Sequence, residues 1–254
     1  MISAAALAAA FTELGVRPGM VLHVQASLRA LGPVAGGAAA VVDALLEVLG
    51  EEGTLVAYTA TPENSSTSRV HQAAVAGLSA AERAAYEARM PRFDPAATPC
   101  SPTMGALSEA VRTRPGAVRS SHPQTSWAAI GLRAEEITAR HPLTSHLGPD
   151  SPLGRLYELD ARVLMLGVQM ANFTAFHLAD LRQPGVVRRE YRCVTADGWT
   201  TFRAPDLDDL HFADLGARVL ADLPGVTTAP LGGTTARLVP VREAVDLATR
   251  LLAA

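Results

Sequence analysis

The stretch Met20 to Thr59, MVLHVQASLRALGPVAGGAAAVVDALLEVLGEEGTLVAYT, decides the fold. Met20-Val21-Leu22-His23-Val24 is a short apolar run of strand length, read as a buried strand. A loop from Gln25 to Gly37 follows, and from Ala38 the residues Val41, Val42, Leu45, Leu46 and Leu49 recur at helical spacing until Gly50 stops the pattern. Thr54-Leu55-Val56-Ala57-Tyr58-Thr59 predicts a second buried strand. The segment is therefore a strand–helix–strand unit with its loops gathered at one edge. The run GPVAGG at Gly32 to Gly37 lacks the spacing of a nucleotide loop and reads as a plain lead into the helix.

Working outward, Ser3 to Leu14 predicts a helix capped at Gly15. From Thr59 to Pro102 the periodicity breaks into a polar loop (Pro62 to Ser68), a short helical stretch (Ser79 to Arg89) and a Pro-rich segment, a connection long enough to be either functional or disordered. Gly105 to Arg114 reads as helix, Ser126 to Gly131 as a short strand, and Ala134 to Arg140 as helix. Arg162 to Val168 is the clearest remaining buried strand, and a helix over Thr174 to Arg182 follows directly. The last quarter holds strand-like Tyr191 to Phe202, an acidic loop at Asp206 to Asp209, and two helices, His211 to Leu223 and Val241 to Leu252. With no repeat and no linker, residues 1–254 read as one α/β domain.

Composition narrows the function. A chain of 254 residues can bury a sizeable core without disulfides or metals. Twenty-two Lys and Arg against 25 Asp and Glu give a net charge of -3, with no basic footprint for nucleic acid. Cys100 and Cys193 are too few for a disulfide framework and too far apart for a zinc site, which fits a reducing cytoplasm. The Ala-rich start has no cationic leader and carries Glu13, and no apolar run reaches the ~18 residues of a membrane span, so a cytoplasmic protein without membrane or nucleic-acid partners is expected. There is no Gly-x-Ser-x-Gly elbow, no Walker loop and no Gly-x-Gly-x-x-Gly after the first strand.

Six segments in order resemble the aminoglycoside 3-N-acetyltransferase family of antibiotic N-acetyltransferases: LHVQASLRALGPVAGG (Leu22 to Gly37), GTLVAYT (Gly53 to Thr59), FDPAATPCSPTMGALSEAVR (Phe93 to Arg112), RSSHPQTSWAAIG (Arg119 to Gly131), GPDSPLGRLYELDARVLMLGV (Gly148 to Val168) and NFTAFHLADLR (Asn172 to Arg182). The resemblance implies a layered α/β/α arrangement around a mixed central sheet, distinct from the commoner acetyltransferase (GNAT) fold. It also implies acetyl transfer from acetyl-coenzyme A to the 3-amino group of a 2-deoxystreptamine ring, without a covalent enzyme intermediate and without a metal.

Such an amine is largely protonated at neutral pH, so a base must free it, most naturally a histidine near its own pKa, and the carbonyl needs donors where the oxyanion develops. His177, in Thr-Ala-Phe-His-Leu-Ala-Asp, is the residue that the resemblance makes the base. If Thr174 caps the helix, His177 sits in its first turn, where the dipole disfavours the imidazolium; the other reading is a histidine packed on the sheet. Asp180 shares the helix face, in place of the family's usual glutamate, one methylene shorter. By resemblance, a second acid from the late loop orients the imidazole, Asp208 first and Asp206 second.

For the coenzyme, the resemblance points to Ala26, Ser27 and Leu28 in the loop after the first strand, where relatives carry Ser-Ser-Leu, to Thr103, Met104 and Gly105, and to Arg119 with Ser120, Arg119 for phosphate charge. Glu63 and Asn64 lie where the family contacts its acceptor, and His141, His146 and Asp206 border that site. His122, before a proline, shapes a turn; His23 is expected to be a satisfied core residue, and His71 and His211 have no motif around them. Three alternatives stand beside this one: the same fold acting on a different amine, a metal-dependent hydrolase built on His177, Asp180 and the Asp206 to His211 cluster, and a non-catalytic binding protein. A monomer and a homodimer are both compatible with the sequence.

Overall fold

Successive residues of a strand leave the backbone on opposite sides, so an apolar run can be fully buried only in a sheet covered on both faces. A computed structural model describes residues 1–253 and shows that arrangement. The strands are β1 (Val21–Ala26), β2 (Thr54–Tyr58), β3 (Val118–Arg119), β4 (Trp127–Gly131), β5 (Arg162–Leu166), β6 (Arg188–Thr195), β7 (Gly198–Pro205), β8 (Thr227–Leu231) and β9 (Thr234–Pro240). Seven form one sheet in the order β3-β4-β2-β1-β5-β9-β8, while β6 and β7 make a separate hairpin. The centre is parallel, with Val24 opposite Ala57 on one side and Leu164 on the other, and the flanking pairs are antiparallel.

Each face has its own core. Val21, Val56, Val163 and Met165 join one, against the helices Ala134–Thr138, Pro152–Glu158, Phe176–Asp180, Phe212–Asp222 and Val241–Ala253. Leu22, Val24, Leu55, Leu164 and Leu166 join the other, against Ala4–Leu14, Gly37–Leu49 and Gly105–Arg112. The result is a three-layer α/β/α fold with a mixed central sheet. No helix of the described residues is long and apolar enough to cross a membrane.

The strand–helix–strand unit and β5 fall where the apolar pattern puts them, and the first helix is capped by Ser3 and ended by Gly15 at φ 113°. The long connection after β2 is ordered and clamps the hairpin. Ser66 N donates to Arg192 O at 2.9 Å, Glu87 holds the Arg192 guanidinium at 2.6 Å, and Trp199 Nε1 donates to Glu87 O at 3.2 Å. Strands β3, β8 and β9 and the helix Pro152–Glu158 go beyond the elements read from the sequence.

Candidate active site

The loop leaving β1 runs toward one helix layer and the loop leaving β5 toward the other, which opens a crevice at the carboxyl ends of adjacent parallel strands, the usual ligand position in an open α/β sheet. Gln25 ties the two loops together: its Nε2 donates to Asn172 O at 2.6 Å and to Thr174 Oγ1 at 3.0 Å. A cleft of about 740 Å³ lies there, walled by Ala26 and Tyr58 from the strands, Thr103 and Met104 from the connection, and His177 with Asp206 to Leu210 opposite. That volume is within the ~300–1,000 Å³ range of small-molecule sites.

His177 is the second residue of the helix Phe176–Asp180. Thr174 does not cap that helix, contrary to expectation: the helix starts at Phe176 with Ala175 at its cap position, and the Thr174 hydroxyl accepts from Gln25 instead. The imidazole rests against the Phe212 ring, centroids 4.8 Å apart, and its side chain is 12% exposed. Burial lowers its pKa from 6.5 to about 4; Asp209 and then Asp208 pull the other way, and His211 adds to the lowering. At neutral pH the ring is therefore uncharged, with a lone pair free and carboxylates near enough to favour the cation once a proton arrives.

Of the acidic residues expected to hold this ring, only Asp208 acts on it, and by charge rather than by a hydrogen bond. Asp180 Oδ2 is 4.0 Å from His177 Nδ1, beyond hydrogen-bond reach, and its Oδ1 instead accepts from His211 Nε2 at 2.9 Å. Asp208, the first choice of the sequence, lines the cleft but spends an oxygen on Leu210 N at 3.1 Å, and Asp209 acts more strongly on His177. Asp206 also lines the cleft, paired with Arg189 at 3.0 Å.

Among the residues read as coenzyme contacts, Ala26, Thr103 and Met104 line the cleft. Ser27 closes the turn after β1, with its hydroxyl accepting from Ala30 N, and Leu28 packs on the core. Gly105 opens a helix that no side chain caps, with φ 81°, and its backbone lies beside the end of β1, where a Cβ would make ordinary contact with Ala26 O at 3.8 Å. Arg119 and Ser120 are corrections. Arg119 turns inward, donating to Thr59 O at 2.6 Å, to Ser126 Oγ at 3.0 Å and to the Thr98 carbonyl, and burial lowers its pKa to about 10. Ser120 is buried between Trp127 N, which donates to it at 2.9 Å, and His141 Nδ1 at 2.8 Å.

The acceptor residues also divide. Glu63 takes a hydrogen bond from Ser101, and buried Asn64 donates to Pro123 O at 3.3 Å, so neither reaches the cleft. His141 and His146 are buried behind the wall in a cluster with His122, ring centroids 4.8 and 4.5 Å from it. His122 Nδ1 accepts from Gln124 N and Thr125 N, both at 3.2 Å, which fits its turn-shaping role. His23 is only half satisfied: Nδ1 meets Val56 O at 3.1 Å, while Nε2 has no partner among the described residues.

Arg69, Arg189, Tyr191 and Phe212 on the cleft wall are not among the candidate residues of the sequence, and His211 behind it enters there only through the Asp206 to His211 cluster of the hydrolase alternative. Tyr191 begins the strand-like stretch read from the sequence, whereas Arg189 precedes it, and the docking of that strand on the cleft is not legible. His211 adjoins the acidic loop and an aromatic residue, which was the one signal available.

The description Aminoglycoside 3-N-acetyltransferase belongs to a family model that matches residues 23–253. Over 243 residues the chain is 32% identical to the SPbeta prophage-derived aminoglycoside N(3')-acetyltransferase-like protein YokD of Bacillus subtilis, covering 93% of this chain and 87% of the relative. The crystal structure of YokD has a TM-score of 0.91 at 30% identity, covering 99% of this chain and 93% of that one. Aminoglycoside N(3)-acetyltransferase III of Pseudomonas aeruginosa is 35% identical over 210 residues, 80% of this chain and 74% of the relative. A structure of AAC-IIIb in binary complex with CoASH has a TM-score of 0.82 at 28% identity, covering 98% of this chain and 96% of that one. By the extent of these matches, the chain belongs to the aminoglycoside 3-N-acetyltransferase family.

Proposed function

We propose that the chain transfers an acetyl group from acetyl-coenzyme A to the 3-amino group of a 2-deoxystreptamine aminoglycoside, with His177 taking the proton of the attacking nitrogen. One observation carries the reading: a neutral imidazole stands on the wall of a cleft of about 740 Å³, with Asp208 and Asp209 beside it. When bound, the coenzyme supplies an activated acyl thioester. Its holders would be Ala26, Thr103 and Met104, with the uncapped helix that begins at Gly105 offering backbone N–H groups to an anionic or carbonyl oxygen. His177 would accept one proton from nitrogen as the new amide forms, and the departing sulfur would carry the electrons of the broken bond. The aspartates would stabilise the imidazolium only while it exists, which helps the transition state more than the ground state.

A second reading, an acetyltransferase of the same fold acting on a different amine, is favoured by the cleft's charge. Asp206 is already paired with Arg189, Arg69 also lines the cleft, and Glu63 and Asn64 are turned away. A thiol-release assay with acetyl-coenzyme A and a panel of amines separates the two. Turnover with several aminoglycosides supports the first reading; turnover confined to amines of lower charge supports the second. His177→Ala should lose about two to four powers of ten in turnover, and a variant as active as the parent would remove His177 from the chemistry.

A further inference from the structure

Behind His177 stands a second imidazole that the proposed chemistry does not use. His211, immediately before the helix Phe212–Asp222, has Nε2 2.9 Å from Asp180 Oδ1, and since a carboxylate only accepts, Nε2 is the donor. The other carboxylate oxygen, Oδ2, stops 4.0 Å from His177 Nδ1. Phe212 touches both rings, with centroids 4.8 Å from His177 and 4.9 Å from His211. The Asp180 side chain is 26% exposed, and hydrogen bonding to its carboxylate comes from His211.

We propose that His211 is a positioning residue for the base: it holds the Asp180 carboxylate away from His177, so that the imidazole stays neutral and free to face the cleft. The inference rests on the proposed role of His177, and its physical content lies in the geometry of the three side chains. A carboxylate short of water needs a donor. With His211 present, that donor is His211. Without it, the nearest available donor is His177, one turn away on the same helix, and a small rotation would close the 4.0 Å gap. An ion pair there would keep His177 protonated to higher pH and narrow the range in which it is free as a base.

Other charged groups act on the same ring and frame the test. Asp208 and Asp209 reach it from the late loop, and His146 lies near enough to feel its charge. Removal of His211 leaves all three in place but also takes away the repulsion of His211 itself, which lowers His177, so the part of any rise that belongs to Asp180 is read from the variant that lacks both His211 and Asp180.

The test reads His177 directly, in the whole protein without substrates, by NMR titration of histidine-labelled chain, its signal assigned by loss in His177→Gln. His211→Ala should raise the titration of His177 by about one unit or more, the usual effect of an opposite charge closing to contact. In the double variant with Asp180→Asn most of that rise should vanish, since the two changes share one interaction. His211 has no side-chain capping bond at the helix start. His211→Asn serves as the second variant: asparagine suits a helix start but is too short to reach Asp180, and the same rise is expected. An unmoved His177 signal in both single variants, or an equal rise with and without Asp180, overturns the proposal. In the thiol-release assay the acidic limb of kcat should move to higher pH in step with the titration. Absence of turnover by the parent protein with every amine would instead count against the acetyl-transfer reading, while the titration still decides the role of His211.

Discussion

Burial and charge oppose each other at His177, and burial wins: the ring is lowered to about 4 although two carboxylates pull it upward. Asp209 is the stronger of the two and is exposed, so solvent screens much of its effect. Asp209→Asn should therefore move the acidic limb of kcat down by less than one unit, while turnover on the plateau falls severalfold because the imidazolium loses its support; a limb that moves up would contradict this sign. Arg119 teaches a different lesson. The family resemblance makes Arg119 a phosphate contact, yet its guanidinium donates to Thr59, Ser126 and Thr98 instead. Arg119→Met should lower stability by about 1–3 kcal/mol through orphaned buried acceptors, seen as a lower denaturation midpoint, with KM for the coenzyme unchanged. Side-chain direction is set here by partners from three segments, the farthest of them, Thr59, 60 residues away, and the sequence around Arg119 does not encode their meeting.

At the scale of elements, β1, the helix Gly37–Leu49, β2 and β5 were legible because their apolar periodicity comes from burial on both faces, which leaves few polar residues to blur it. Strands β8 and β9 were not, since they read as Thr-rich with Pro230, and β8 is the sheet edge, where proline is tolerated and alternation is weak. Their joining turn, Gly232-Gly233, did carry a hairpin signal. Gly232 has φ 58° and a Cβ there would fall 2.2 Å from Leu31 O, a backbone atom, whereas Gly77 at φ 82° meets nothing within 4 Å. Gly232→Ala should cost more than Gly77→Ala, whose penalty is only the ~1 kcal/mol of a left-handed alanine. Paired chemical denaturation measures the difference, and equal costs would mean that the turn can move off the first loop. The helix Phe176–Asp180 lies within the helix expected over Thr174 to Arg182, but it begins later, with Ala175 rather than Thr174 at its cap position.

Across the molecule, the histidines form a pattern that no single residue shows. His23, His122, His141 and His146 are all buried, and desolvation lowers every one of them: His23 and His141 to about 4, His146 to about 3, His122 well below its ordinary value. The unfolded chain, with histidines near 6.5, thus binds more protons than the folded one at mildly acid pH. Stability from neutral burial is complete above about pH 6.5 and is lost as pH falls toward about 4, at up to ~1.4 kcal/mol per pH unit for each histidine. Glu109, lowered to about 2 by Arg112, loses its contribution only at still lower pH, as its unfolded carboxyl starts to protonate near 4.5. Urea denaturation between pH 7.5 and 5 should show unfolding coupled to uptake of more than one proton. His146 tests the origin of that slope, because both of its ring nitrogens are buried without partners while the ring packs 4.3 Å from Tyr191 and 5.7 Å from Phe202. His146→Phe keeps the packing and removes two unsatisfied polar atoms, so it should leave stability at pH 7.5 equal or higher and cut proton uptake by about one. A variant that unfolds with the parent's full pH slope would mean that the acid sensitivity arises outside the buried cluster.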